Sequence, residues 1–418
     1  MHFSLNPQVA VVSLFLCAHL SAASANEISF DEAIKASAQI PKVKAAVIDL
    51  EARTQADRDL PSDRGRLTLT IGPGRRLSPT ADTGNELMLS ISQGWNLGDL
   101  SKKRRKAARA ERQVISAERR VKVLAARMEA ALRWFNLRLA EQAHQLVQAE
   151  LTNIAELETT IIRARKAGVV TRVAEVEAKS AHADAKRLEL TLEGERVAAA
   201  LALCVALGVL PDINLRTAGP MPAPTIPSAT EISRLEHKVE QLPQIALHRL
   251  RSVASSARAA EYKATNRSQL SLGVEFARES TGSTLLFGTM GWSFVGADKN
   301  QRQRSRANAQ ALRRLQEAED VAVTLRIELA EAIHEVEHSE ELWQLINSRV
   351  APASASLLQE RKRQLALGEG TLVEVLRARS RVTKAKRYLA TAGVARRWSQ
   401  VHLWLLLAEI KLAEAGDH

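Results

Sequence analysis

Residues 334–338 read HEVEH, which matches H-E-x-x-H. In that pattern two His one helical turn apart hold Zn²⁺ and the Glu between them serves as a base. Here the motif stands in the middle of a long charged helical tract, and no third ligand follows at a usable spacing. The equivalent stretch of the first half of the chain, WFNLR (134–138), carries none of it. His334 and His338 therefore read as a solvated helix face, with no catalytic metal. GPGRR (72–76) imitates a phosphate loop but lacks the G-K-[ST] ending and a following helix, so it reads as an exposed loop. No Ser/His/Asp or Cys/His constellation appears. The chain reads as a non-enzyme that needs no cofactor.

The residues that remain informative come in pairs. GVVTRVAEVEAKSAHADAKRLELT (168–191) and GEGTLVEVLRARSRVTKAKRYLAT (368–391) share nine identities at a fixed offset, among them Gly168/Gly368, Thr171/Thr371 and Ala178/Ala378. Chance would give about two at average composition. Gly94-Trp95 and Gly291-Trp292 form a second pair, and Pro41 and Pro243 a third. The chain is a tandem duplication: a first repeat over 26–219, a Pro-rich linker PMPAPTIPS over 220–228, and a second repeat over 229–418.

Each repeat supplies the same elements. SFDEAIKAS begins a short helix that breaks at Pro41 before a second one, and 231–265 with Pro243 is its counterpart. RLTLTI (66–71) and ELMLSIS (86–92) alternate with period two, as do QLSLGVEFA (269–277) and TLLFGTMGW (284–292). This predicts one β-hairpin per repeat, at 66–92 and 269–292. A long helical tract follows each hairpin. Residues 99–166 contain neither Pro nor Gly, and Val121, Leu124, Met128, Leu132, Phe135 and Leu139 step by three or four. Residues 298–366 repeat this with Val321, Leu325, Leu329, Ile333 and Val336, and Pro352 predicts a kink. A return helix follows each tract, over 171–207 and 371–412. A helix of some 67 residues would be about 100 Å long, far beyond an ordinary globular domain. Gly168 and Gly368 thus stand at the tips of two long helical hairpins, with Thr171 and Thr371 restarting each helix as caps.

Composition agrees. Of 418 residues, 45% are hydrophobic and only 4% aromatic. The apolar run 9–20 and Ala23-Ser24-Ala25 predict a secretory signal peptide over 1–25. Cys17 lies within it, and Leu16 before it argues against acylation, leaving Cys204 as a lone buried thiol with no disulfide partner. The formal charge of +12 fits nucleic acid, an anionic membrane or an anionic partner, and export argues against nucleic acid.

Four strands are too few to close a barrel, and strands can cross a bilayer only when closed, because no edge may face lipid. Three chains would supply twelve strands with a wet interior, and Leu270, Leu272, Val274 and Phe276 suit a lipid-facing side. Trp95 and Trp292 would be either strand-end aromatics packed on a core or anchors at the membrane interface.

Over nearly its whole mature length the chain resembles the TolC-type outer-membrane efflux factor family. The resemblance rests on SFDEAIKAS, the A-G-x-x-T-x-x-x-x-x-x-A tip at 167–178, LGEGTLVEVLRARS at 367–380, and the duplicated hairpin. ISQGWNLGDLSKKRRKA (91–107) and VGADKNQRQRSRANA (295–309) are most similar to the branch serving heavy-metal resistance-nodulation-division pumps. The resemblance implies a mainly α fold with a small β part. In it, tandem-duplicated long helical hairpins form an α-barrel tunnel, and two β-hairpins give four strands to a trimeric twelve-stranded outer-membrane β-barrel. It implies a homotrimer with its helical tunnel in the periplasm. Such a trimer is the passive exit duct of a tripartite efflux system, fed by an inner-membrane pump through a periplasmic adaptor. Metal ions, drugs or, in a type I secretion system, a protein could be the cargo. The adaptor would dock on the tips, at Gly168, Val169, Val170 and Thr171 and at Leu367, Gly368, Glu369, Gly370 and Thr371, residues that also suit plain helix-turn geometry. The family's constriction carries Asp, and none stands beside Gly368 at the tip; Glu369, Glu374 and Arg377 are the candidates for a charged ring, unless they form a solvated face. The low aromatic content leaves a soluble periplasmic coiled-coil scaffold as the alternative.

Overall fold

The computed structural model describes residues 27–56, 64–76, 84–96, 99–265, 268–279, 283–293 and 300–415. The expected signal peptide, Cys17, the hairpin turns and Asp298 lie outside the described residues. The fold is mainly helical with a small sheet part, as expected. The elements run β1 (Glu27–Ser29), α1 (Phe30–Ser37), α2 (Pro41–Ala56), β2 (Arg64–Arg76), β3 (Gly84–Asn96), α3 (Leu100–Lys166), α4 (Arg172–Leu207) and β4 (Arg216–Ala218) in the first repeat. The second holds α5 (Ala229–Glu236), a 3-10 turn (Val239–Gln241), α6 (Pro243–Thr265), β5 (Gln269–Arg278), β6 (Thr284–Ser293), α7 (Gln301–Leu345), a π-helical turn (Ile346–Val350), α8 (Ala351–Ala366) and α9 (Leu372–Ala415).

α3 is one unbroken helix of 67 residues, as the lack of Pro and Gly requires. Its counterpart is interrupted just ahead of Pro352. Proline cannot donate to the carbonyl four residues back, so the helix widens by one turn over Ile346–Val350, and the Ala351 N–H reaches back to the Ile346 carbonyl.

The chain divides into two compact units, each drawing on both repeats. One unit joins 123–232 to 328–408 together with the N-terminal segment to Pro41. The other joins 42–122 to 233–327 together with 409–418. In the first unit the core gathers Phe30, Trp134, Phe135, Leu203, Leu207, Val401 and Leu405. The Trp134 ring meets Phe30 at 5.6 Å and Phe135 at 5.4 Å, both edge to face, and its indole N–H donates to the Ile28 carbonyl at 2.9 Å. That bond fixes β1, which pairs in parallel with β4, Ile28 opposite Thr217. The sequence reading missed this pair, because three-residue strands leave no periodicity to detect.

In the second unit the strands form one antiparallel sheet of order β2-β3-β5-β6. Register places Leu69, Ile91 and Val274 in one row, and Ile71, Leu89, Phe276 and Leu286 in the next. These rows form one apolar face, exposed at Leu67, Leu69, Ile71, Leu272, Leu286 and Met290. The opposite face is mostly polar, with Thr68, Thr70, Ser90, Ser92, Ser271, Glu275 and Thr289, interrupted by Met88 and Phe287, because successive strand residues point to opposite sides. That polar face is also the crowded one. A Cβ on Gly273 would stand 2.7 Å from the Ile91 carbonyl and 2.8 Å from the Thr289 hydroxyl oxygen.

One expectation is corrected here. GPGRR is not a loop: Gly72 to Arg76 continue β2, paired with Met88 to Gly84. Pro73, opposite Leu87, stands in β2, an edge strand of this four-stranded sheet, which is where a sheet accommodates a residue without an N–H.

Candidate functional site

The two helical-hairpin tips share their turn geometry, and the second adds one bond, from the Gly370 N–H to the Gln364 carbonyl at 3.2 Å. α3 ends at Lys166, and Gly168 takes φ 76°; α8 ends at Ala366, and Gly368 takes φ 78°. At the first tip the Val169 N–H donates to the Ala164 carbonyl at 2.9 Å and the Gly168 N–H to Arg165 at 3.1 Å. At the second, Glu369 donates to Gln364 at 2.9 Å and Gly368 to Leu365 at 3.1 Å. Both are Schellman closures, in which a left-handed residue turns the chain back onto the last free carbonyls. The left-handed conformation at Gly168 and Gly368 is what demands glycine; nothing stands within 4 Å of a Cβ added at either.

Thr171 and Thr371 then cap the return helices. The Thr171 hydroxyl accepts from the Ala174 N–H at 3.3 Å, and the Thr371 hydroxyl from the Glu374 N–H at 3.3 Å. The second tip adds the reciprocal bond, the Thr371 N–H donating to the Glu374 carboxylate at 3.1 Å. This completes a capping box that Ala174 cannot supply at the first tip. Glu374 is further paired with Arg361 at 3.5 Å. The Thr371 backbone N–H, ahead of the nearby Arg361, lowers its pKa below the usual carboxylate range.

This asymmetry carries a prediction. A lowered native pKa stabilises the cap above the unfolded value and ceases to do so as pH falls through the native one. Hydrogen-exchange protection of the first turn of α9 should therefore drop below about pH 4, the ordinary glutamate range. Glu374→Gln should remove the step in α9 and leave α4 unchanged, because the lowered carboxyl in the first turn of α4, Glu175, is held by Lys179 and not by a cap N–H. A step in α9 that survives Glu374→Gln would refute the assignment.

Around these caps the tips present side chains outward. Val169 is 76% and Leu367 65% exposed, and Glu369 is exposed beside them. Of the three candidates for a charged ring, Glu374 is held in its capping box. Arg377 is exposed and lines a cleft of about 500 Å³ between α3, α4 and α9, with Glu150, Glu177, Asp184 and Lys384. Across it Arg379 of the second repeat bonds Glu150 of the first at 3.2 Å. Sequence reading did not find that pair, since no local pattern relates residues 229 apart.

Trp95 and Trp292 lie on the apolar face of the sheet in one row, both opposite Leu270 of β5, at the end from which α3 and α7 depart. His334 and His338 stack at 6.0 Å on an exposed face of α7. Among the described residues no group of three or more His, Cys, Asp or Glu could hold a metal, and no helix is long and apolar enough to cross a membrane.

No protein-family model and no curated protein matches the chain. Solved structures do. The Campylobacter jejuni CmeC outer-membrane channel superposes with a TM-score of 0.75 at 12% identity, over 91% of this chain and 85% of that one. The outer-membrane channel OprN gives 0.74 at 18% identity, over 90% and 89%. The Neisseria gonorrhoeae MtrE outer-membrane channel, in its open state, gives 0.68 at 16% identity, over 90% and 88%. The fold is that of the outer-membrane channels. The TolC-type resemblance is met at the level of the whole fold, since these alignments span both repeats. At such identities it is the arrangement of helices and strands that is shared, more than the side chains.

Proposed function

We propose that the chain is the outer-membrane exit duct of a tripartite efflux system, acting as a homotrimer with its helical hairpins in the periplasm. The observation that carries this is the sheet. It has an apolar exposed face, a mostly polar opposite face and two edges, β2 and β6. Such a sheet cannot stand alone in lipid, where unpaired backbone groups are too costly. Three copies joined β6 to β2 would pair these edges, with Pro73 the position of β2 that offers no donor, and would enclose a passage of twelve strands. The channel fold supports the same reading, and a passive duct requires no catalytic group.

In this reading the tips receive the periplasmic adaptor. Val169 and Leu367 offer apolar contact, and Glu369 and Arg377 offer charge. Cargo, whether metal ion, drug or protein, would be chosen by the inner-membrane pump. Membrane fractionation followed by mass measurement of the detergent-extracted protein tests the proposal. The expected result is an outer-membrane species of about three times the 45.8 kDa chain. A monomer or dimer released by salt or carbonate would instead establish the periplasmic scaffold.

A further inference from the structure

The excess positive charge of this protein is not spread over it. Residues 99–122 hold ten Lys and Arg against three carboxylates, and 300–314 hold five Arg and no carboxylate. Together these two short stretches carry a net +12, equal to that of the whole chain. They are the first turns of α3 and α7, which leave the sheet just beyond Trp95 and Trp292, all within one compact unit.

Helix stability does not explain this placement. The N-terminus of a helix is its positive end and favours carboxylates, yet neither first turn has one. Some of these cations pair within the chain, Lys102 with Asp99 at 3.6 Å and Arg313 and Arg314 with Glu317 at 3.0 and 2.5 Å, but pairing does not account for them all. The carboxylates nearby are already engaged: Glu111 by Arg53 at 3.0 Å and Arg258 at 2.5 Å, Glu118 by Arg251 at 2.6 Å, and Glu261 by Arg104 at 3.3 Å. Arg105, Lys106, Arg109, Arg302 and Arg306 are exposed, and among the described residues none of the five is ion-paired. Buried Ala107, Ala110, Ala307 and Ala311 occupy the packed sides of the same turns.

We infer that this collar of cations binds the phosphate headgroups of anionic phospholipids in the bilayer that surrounds the sheet. The inference rests on the outer-membrane reading above. What points to lipid is continuity. The apolar face of the sheet ends in a row of two Trp flanking Leu270, the amphipathic side chains that settle at a membrane interface, and the cations follow at the starts of α3 and α7, from Lys102 beyond Trp95 and from Arg302 beyond Trp292. Exposed cations beside an anionic surface attract it within a Debye length. The collar would hold the sheet at a fixed depth and retain anionic lipid around it.

The test uses the purified full-length protein reconstituted in phosphatidylcholine bilayers, with tryptophan fluorescence quenched by brominated phosphatidylglycerol or brominated phosphatidylcholine. The phosphatidylglycerol should associate roughly five-fold more strongly at low salt, the order expected for a single cation at an anionic surface. The preference should vanish near 1 M salt, where the Debye length is about 3 Å. A variant carrying Arg105→Gln, Lys106→Gln, Arg109→Gln, Arg302→Gln and Arg306→Gln should lose it, and one carrying Lys at the four Arg positions should keep it. Equal quenching by the two lipids, or a preference that survives in the Gln variant, overturns the inference and leaves the duct standing. If the Gln variant does not assemble, the salt titration of the unaltered protein decides. No quenching by either lipid would remove the sheet from the bilayer, and both readings would fall together.

Discussion

Replacing both tip glycines with valine, Gly168→Val and Gly368→Val, is expected to abolish export while leaving the folded protein in place. The two positions take φ 76° and 78°, a region costing a β-branched residue about 1–2 kcal/mol each. Nothing lies within 4 Å of the added Cβ, so no core contact is lost and the strain stays in the turn. The Schellman bonds from Val169 and Glu369 would break, and with them the placement of the outward side chains. For a docking surface of a few residues, losing such placement is worth about 2 kcal/mol or more, on the order of thirty-fold in affinity. Asparagine tolerates the left-handed region, so Gly168→Asn with Gly368→Asn should restore most of the export. Susceptibility of cells to the pump's cargo, read beside the detergent-extracted mass, separates the cases. Full export in the assembled valine variant would remove the tips from the docking role.

The largest loss of stability is expected from Trp134→Ala. Trp134 is fully buried, in edge contact with Phe30 and Phe135, and donates to the Ile28 carbonyl. Truncating a buried aromatic of this kind costs about 3–5 kcal/mol, and the orphaned carbonyl adds about 1 kcal/mol. Trp134→Phe keeps most of the ring contact and should cost about 1–2 kcal/mol. Urea unfolding gives the totals. Hydrogen exchange gives the location, because β1 depends on that indole bond and the pairing of Ile28 with Thr217 should fray first. A loss below about 1 kcal/mol, or an unfrayed β1–β4 pair, would contradict the role assigned to the indole.

Much of this protein was legible in its sequence for one physical reason: its elements are long and repeated. A seam stepping by three or four over 67 residues is a strong helical signal, and every residue of it from Val121 to Leu139 that was singled out is buried or half-buried. Two glycines 200 apart, each ahead of a threonine, marked both turns, because only glycine settles easily at positive φ. The capping box is legible too, as Thr371-x-x-Glu374. Tertiary structure alone decided the rest. The β1–β4 pair is too short to have a period. β2 runs through Gly72 to Arg76 against the turn propensity of those residues, and as an edge strand of this sheet it accommodates Pro73. Glu150 meets Arg379 because the repeats are interleaved into two compact units. No one-dimensional pattern records such a meeting, for packing pairs residues by where long helices cross and not by how far apart they stand in the chain.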